Sequence, residues 1–456
     1  MQNQGITLTD SQSEVLEGLK TFIFAPRDDS GTATLGGYAG VGKTTVVGRL
    51  IKSAADQGKR VLAMAPTHQA VSVLASKMPS CTQASTVHSA LGLRMVERND
   101  GTLGVGQRVG QVRLREFDLA VVDEASMLDR ALFGMLMQNR GCCRVLFVGD
   151  PAQLAPVGDG GKLLSPVFDE AIVPTQFRLT EVVRQAADNP VIRWSQVLRR
   201  NVNSNSTPDI AELGVLLREG DDKFLSIQPG GAYRLTELCI DAIRNGVAAR
   251  ILSFKNSSVI RHNHEVHSAL HPDVDGFAEG EPAIVQSQFY AHDKETDQMV
   301  RFHTSQQVEV LSCEPGRSAQ FPDVPCWRLK VASSYGSEVS VLVPKFEVNF
   351  TQEIDALFRE ANFQNEQARH EPMASASMRR ARAAAALAEA KSRRAAFALI
   401  RHAYAMTFHK SQGSTFEASL IDWEGMADPR QSGSDKARMA YVGVTRTSKY
   451  LVVVTE

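Results

Sequence analysis

Cysteine is scarce and unpatterned: six in 456 residues, at 81, 142, 143, 239, 313 and 326, with no C-x-x-C pair. That spacing offers neither a disulfide framework nor a cysteine-based zinc site, and it fits reduced thiols in a cytosolic protein. Aromatic residues make up only 7% of the chain, so few rings are on hand for stacking. No apolar run approaches the roughly 18 residues that span a bilayer. The opening MQNQGITLTD lacks the basic and apolar regions of a signal peptide, so no membrane partner is expected. An excess of one charge is missing as well. The 50 Lys and Arg against 51 Asp and Glu leave a net charge of −1. This excludes a histone-like polycation and a long acidic tail, but not a local basic patch. No internal repeat of 20–50 residues is found either.

What remains is an ordinary globular composition, 43% hydrophobic and 22% charged, long enough for two to four domains. The first third alternates short apolar runs (Ala33–Leu35, Val61–Ala65, Leu119–Val122, Val145–Val148) with amphipathic segments, as in a parallel α/β sheet. A second set, Arg250–Phe254, Ala418–Ile421 and Tyr450–Val454, predicts a second α/β unit. Two segments interrupt them. Residues 92–116 hold an Asn99–Asp100–Gly101 turn between strand-like runs, the pattern of a β-hairpin. Residues 279–401 begin with the strand-like runs Gln307–Ser312, Trp327–Ala332 and Glu338–Val343. They continue into the Ala-rich segment Met373–His402, which carries seven Lys or Arg and one Glu and predicts a basic helix. That helix reads equally as a solvated face or as a nucleic-acid contact.

Gly37–Tyr38–Ala39–Gly40–Val41–Gly42–Lys43–Thr44 matches G-x-x-x-x-G-K-[ST], between a strand-like run and the helical run Thr44–Ala55. Glycines let backbone N–H groups close around phosphates, and the helix turns its positive end toward them. Lys43 would reach the β and γ phosphates of ATP, and Thr44 would ligate Mg²⁺. Asp123–Glu124 ends an apolar run, which delivers both carboxylates to the edge of a sheet where α/β folds bind ligands. Asp123 is assigned to Mg²⁺ and Glu124 to the attacking water. A second such run ends in Gly149–Asp150–Pro151–Ala152–Gln153, placing Gln153 near the γ phosphate. His68, His88 and His409 lie beside Thr or Ser at strand ends, in loops suited to phosphate and base contacts; taken singly, each also reads as an ordinary satisfied histidine.

These motifs, in this order, resemble superfamily 1 helicases, and more closely the RecD/Dda branch, superfamily 1B. Leu8–Thr9–Asp10–Ser11–Gln12 is similar to the Q motif, the phosphate loop to motif I, and Ala65–Pro66–Thr67–His68 to motif Ia. Ser85–Ser89 is similar to motif Ib, Asp123–Ser126 to motif II and Gly149–Gln153 to motif III. Leu179–Gln185 resembles motif IV, Thr407–Thr415 motif V and Tyr441–Arg446 motif VI. Ser253–Ser257 departs from the family's T-N-K segment, because Lys255 precedes Asn256.

The resemblance implies two RecA-like parallel-sheet domains, residues 1–91 with 117–175 and residues 176–278 with 402–456. It implies an inserted pin hairpin at 92–116 and an inserted SH3-like β domain with a helical arm at 279–401. ATP would be held by Gln12, Gly37, Gly40, Gly42, Lys43, Thr44, Thr45 and Gly413, with Arg184 and Arg446 as arginine fingers beside Lys43, Glu124 and Gln153. Nucleic acid would meet Pro66, Thr67, His68, Thr86, His88, Phe254, Asn256, Thr407 and His409. The activity implied is ATP-driven 5′-to-3′ movement on single-stranded DNA with unwinding of forked duplexes, by a monomer in the cytoplasm of a bacterium or phage-infected cell, near the nucleoid. Single-strand-binding or replication proteins would be its partners. An ATPase switch that does not unwind, and an RNA helicase, are the alternatives.

Overall fold

The computed structural model describes residues 7–25, 31–79, 82–97, 103–108, 112–156, 163–181, 190–219, 225–293, 296–333, 336–426, 428 and 431–455. In chain order the first strands are β1 (Thr32–Gly37), β2 (Val61–Ala65) and β3 (Gln83–Thr86). A hairpin of β4 (Leu93–Glu97) and β5 (Leu103–Arg108) follows, then β6 (Leu119–Val122), β7 (Arg144–Gly149) and β8 (Gln176–Leu179). The expected hairpin therefore has both its strands, while its Asn99–Gly101 turn lies outside the described residues.

The first sheet has the order β3-β2-β6-β7-β1-β8, every pair parallel. Its central strands are unbroken apolar runs because helices cover both faces. Alternation of period two divides them. Leu119 and Val121 of β6, with Leu146 and Val148 of β7, join Leu19, Leu50 and Ile51 in one core. Ala120, Val122, Val145 and Phe147 face the opposite way, toward Leu132 and Leu136.

The second sheet has the order β18-β10-β19-β20-β9, again all parallel. Its members are β9 (Leu225–Pro229), β10 (Ala249–Ser253), β18 (Ala405–Thr407), β19 (Phe416–Asp422) and β20 (Thr447–Thr455). One boundary is corrected here. Gln176–Leu179, placed by sequence in the second α/β domain, pairs with β1 and is the edge of the first sheet.

Between β10 and β18 comes a seven-stranded sheet of order β13-β12-β16-β15-β14-β11-β17, all antiparallel. Its strands are β11 (Pro282–Val285), β12 (Phe289–Asp293), β13 (Gln298–Phe302), β14 (Gln307–Gly316), β15 (Cys326–Ser333), β16 (Glu338–Pro344) and β17 (Ile400–His402). Helices Glu347–Gln367 and Met373–Ala396 separate its last two strands. The basic helix thus ends at Ala396, not His402, and β17 carries the inserted sheet one residue past the expected boundary at 401. Phe350, Ile354 and Phe358 repeat every four residues and pack with Ala390 and Phe397. Arg379 donates to Glu371 and Gln364, while Arg393 pairs with Glu389 and with Asp323 ahead of β15, so two of the basic residues are engaged within the insertion itself.

By compactness the chain forms two units. One comprises Met1–Leu93, Arg108–Arg261 and Ala405–Glu456 and contains both parallel sheets; the other comprises Arg94–Gln107 and His262–Tyr404.

Candidate functional site

Strand order in the first sheet decides which loops meet. Because β1 lies beside β7, and β7 beside β6, the segments leaving their C-terminal ends converge on one edge. These are the phosphate loop, Asp150–Gln153 and Asp123–Glu124. Gly40 and Gly42 sit at φ 85° and 83°, a region that side chains rarely adopt, and so curl the loop back into helix Lys43–Asp56. Lys43 Nζ donates to the carbonyls of Gly37 and Tyr38, 2.8 Å each. Thr44 and Thr45 stand half-buried in the first turn of that helix. Gln12 is bound from both ends. Its side-chain oxygen accepts from Thr9 N–H within a capping box, and its Nε2 donates to Val41 O of the phosphate loop at 2.9 Å.

Burial lowers the Lys43 ammonium from its ordinary range, opposed by Asp150, Glu124 and Asp123 around it. Burial likewise raises the carboxyl groups of Asp123 and Glu124, with Lys43 pulling the other way in both. Glu124 adopts φ 50°, which turns the chain sharply out of β6. Two adjoining half-buried carboxylates against one ammonium leave an excess of negative charge, and hard oxygen donors in that setting suit Mg²⁺. Asp123 and Thr44 are the residues that would hold it, and it would supply charge neutralisation for the phosphates of ATP.

The two parallel sheets meet through a buried hub that the motifs alone did not reveal. Asp150, fully buried, accepts from Arg199 Nη1 at 3.1 Å, from Ala152 N–H at 2.9 Å and from the Tyr441 hydroxyl. Ala39 N–H, in the phosphate loop, donates to that same hydroxyl at 3.2 Å. The Arg199 guanidinium lies 3.3 Å over the Tyr38 ring. Arg438 donates to the carbonyls of Pro151 and Gln153. Burial, and then the Asp150 charge, holds the Tyr441 phenol above its usual range, so it stays a donor. Tyr441→Phe removes both the donor to Asp150 and the acceptor for Ala39 while keeping the ring. The expected loss is about 1–3 kcal/mol of stability, measured by denaturant unfolding with slope and midpoint fitted together. Tyr441 and Asp150 lie within quoted motifs, but Arg199 lies in helix Pro190–Ser204 with no motif around it, and nothing in its sequence setting marks it.

Gln153 is buried, its amide oxygen accepting from Ser126 Oγ at 3.4 Å. Arg446 is also buried and donates to Ser414 O, Val442 O and Thr445 Oγ1. It is near enough to Glu124 to oppose the effects of burial and of Asp123 on that carboxyl. Gly413, at φ 77°, turns the chain between helix Phe408–Ser411 and β19, close to Ala70 of the helix that follows β2. The structure thus gathers Gln12, Gly37, Gly40, Gly42, Lys43, Thr44, Asp123, Glu124, Gln153 and Arg446 around one edge. Arg184 lies outside the described residues.

The expected nucleic-acid residues share one local construction. Thr86 and Thr407 end β3 and β18, Thr67 lies two residues beyond β2, and each caps a helix, their Oγ1 accepting from Ser89, Lys410 and Ala70 N–H respectively. His68, His88 and His409 fall in the first turn of those helices, and Pro66 precedes the first cap. Capping uses the oxygen as acceptor and leaves the hydroxyl proton to donate, except at Thr86, whose hydroxyl donates to Ser89 Oγ at 2.9 Å. Burial lowers the imidazoles of His88 and His409, so both are neutral near pH 7 and suited to ring or hydrogen-bond contacts. Phe254 is half-buried after β10, and Asn256 is exposed at the start of the next helix. Phe408 is fully buried, and Trp423 tilts against Trp194 at 5.6 Å.

Comparison with known proteins follows this division. Residues 8–221 match the AAA domain family, and residues 402–454 match the UvrD-like helicase C-terminal domain. The ATP-dependent DNA helicase dda of Enterobacteria phage T4 is 28% identical over 62% of this chain and 63% of its own. The ATP-dependent RecD2 DNA helicase of Deinococcus radiodurans is 32% identical over 48% of this chain and 27% of its own. The chain therefore spans less than two thirds of either relative. The crystal structure of Pif1 helicase from Candida albicans shares the fold at a TM-score of 0.51 and 16% identity, covering 99% of this chain and 95% of that one. With matches to an AAA domain and a UvrD-like helicase C-terminal domain and sequence similarity to both dda and RecD2, the chain is similar to the RecD/Dda-like branch of superfamily 1B.

Proposed function

We propose that the chain is an ATP-dependent DNA helicase that moves 5′ to 3′ along single-stranded DNA and separates forked duplexes. The observation that carries this is the approach of the helix Gly433–Val444 and the Arg446 beyond it to the first sheet's site: the Tyr441 hydroxyl accepts from Ala39 N–H of the phosphate loop, and Arg446 is near enough to act on the charge of Glu124. Nucleotide bound at Lys43 and Thr44 would then be sensed by both sheets at once. Lys43 would balance the β and γ phosphates, Glu124 would orient and deprotonate the attacking water, and Arg446 would meet the transferred phosphoryl group, a role that the resemblance gives to Arg184 as well. Threonine-capped loops at the ends of β2, β3 and β18 put hydroxyl and backbone donors on both sheets, as a motor gripping one strand with two parts requires. Relatives named ATP-dependent DNA helicases support DNA as the track. The β4–β5 hairpin is assigned as the pin that splits the duplex, and the seven-stranded sheet as the SH3-like insertion.

The test compares ATP turnover with and without single-stranded DNA, and unwinding of DNA and RNA forks tailed at either end. Turnover is expected to require Mg²⁺ and to rise with single-stranded DNA, and strands should separate only from a 5′ tail on DNA. Replacing residues 95–112 by a Gly/Ser linker should keep the stimulated turnover and abolish unwinding. Turnover indifferent to DNA would leave an ATPase of another kind, and unwinding from a 3′ tail would reverse the polarity.

A further inference from the structure

A second cluster of titratable groups lies wholly within the unit that contains the antiparallel sheet, and it takes no part in the nucleotide chemistry. Its centre is Glu281, buried at the residue before β11. His267, on helix Asn256–Leu270, places Nδ1 2.8 Å from Glu281 Oε2. His402, the last residue of β17, places its own Nδ1 on Glu281 Oε1. The β11–β17 pairing sets this approach, since His402 is the Cα partner of Ala283. The two imidazole rings stack at 4.3 Å. Tyr404 donates its hydroxyl to Glu281 Oε2 at 3.2 Å and lies 3.3 Å from His271 Nε2.

A buried carboxylate needs a cation. Among the described residues the ion-pair partners of Glu281 are His267 and His402, and no lysine or arginine joins them. The other nitrogen of His267, Nε2, lies 3.4 Å from Val274 O. When Nε2 carries the proton toward that carbonyl, a neutral imidazole presents a lone pair at Nδ1, directly facing a carboxylate oxygen. Two acceptors at that distance repel unless a positive centre sits between them. A histidine whose far nitrogen is held by a backbone carbonyl is also the usual outer arrangement of a metal-ligating histidine. The three ligand atoms lie within 4.8 Å of one another. They come from a helix, from strand β17 and from the residue that leads into its partner β11, which fixes their directions.

We propose that His267, Glu281 and His402 form a binding site for a divalent transition-metal ion of the zinc class, with Tyr404 holding Glu281 in place beside it. Two imidazoles and one carboxylate are a donor set suited to Zn²⁺, with a fourth position for water. The ion would tie the start of the inserted sheet, at Glu281, to its end, at His402. It would close a loop of more than a hundred residues and so stabilise the insertion. The site uses no cysteine, which is why cysteine spacing gave no sign of it. The His402 side chain, 18% exposed, marks the route of entry.

The test uses the full chain, stripped with chelator and titrated with Zn²⁺ and, for its visible d–d absorption, Co²⁺. The expected result is one ion per chain, Co²⁺ bands of an N/O site displaced by Zn²⁺, and a higher melting temperature with Zn²⁺ than with chelator. His402→Gln should abolish the bands. Tyr404→Phe, which removes only the support of Glu281, should weaken binding by about 10–100-fold. Circular dichroism of each metal-free variant separates loss of a ligand from loss of the fold. Absent Co²⁺ bands with an unchanged melting temperature, or undiminished binding in folded His402→Gln, would overturn the site and leave imidazolium protons as the compensating charge. None of these readouts depends on ATP turnover.

Discussion

Arg446→Ala is expected to lower ATP turnover by about 10³–10⁵-fold, the range in which an arginine finger acts. The transferred phosphoryl group spreads negative charge over its equatorial oxygens, and a planar guanidinium meets several of them at once. An ammonium offers a point charge, so Arg446→Lys should fail nearly as badly. Nucleotide affinity should fall far less than turnover. Arg446 also donates hydrogen bonds to Ser414 O, Val442 O and Thr445 Oγ1. A second role as a structural staple therefore makes its own forecast: a lower melting temperature with normal hydrolysis in the folded fraction. Single-turnover hydrolysis and thermal melting on the same preparations decide between them. Wild-type hydrolysis by a folded Arg446→Ala protein would remove the link between the second sheet and the nucleotide.

Glu124→Gln carries the other large effect. The amide keeps the size of the side chain and one acceptor oxygen but cannot take a proton, and loss of a general base costs about 10²–10⁴-fold. ATP should still bind, because Lys43 and the phosphate loop are untouched. The substitution also removes one of two adjoining half-buried carboxylates whose charge is penalised by partial burial and by its neighbour, so stability should hold or rise slightly. Equilibrium nucleotide binding beside turnover checks this. If binding fell in parallel with hydrolysis, Glu124 would be holding the metal or the fold.

Much of the site was legible in the sequence because its chemistry is local. A phosphate loop needs its glycines and lysine at fixed spacing. A carboxylate pair at the end of an apolar run must emerge at a sheet edge, and Val61–Ala65 and Leu119–Val122 are strands over the very residues their composition implied. The seven-residue spacing of Ala376, Ala383 and Ala390, all buried, likewise lies in the chain itself. Short or half-exposed strands were not legible. β18 has three residues, and β3 is an exposed edge, so neither shows a period before its neighbours are known. The expected boundary at 176 puts Gln176–Leu179 in the second domain, yet hydrogen bonding to β1 assigns it to the first.

By itself, then, the sequence determined the phosphate-binding chemistry, the two parallel sheets and the order of the motifs, all of which depend on residues close together along the chain. Tertiary structure alone decided which distant groups meet. Arg199 and Tyr38, 161 positions apart by their numbers, stack at 3.3 Å. Tyr441 reaches back to Ala39 and Asp150 across some four hundred and some three hundred residues. His267, Glu281 and His402 converge because a helix and an antiparallel strand pair happen to close on the same carboxylate. Periodicity and spacing report which face of an element is apolar, whereas a polar hub inside the protein is fixed by how the elements pack. A buried charge must find its partners wherever packing brings them.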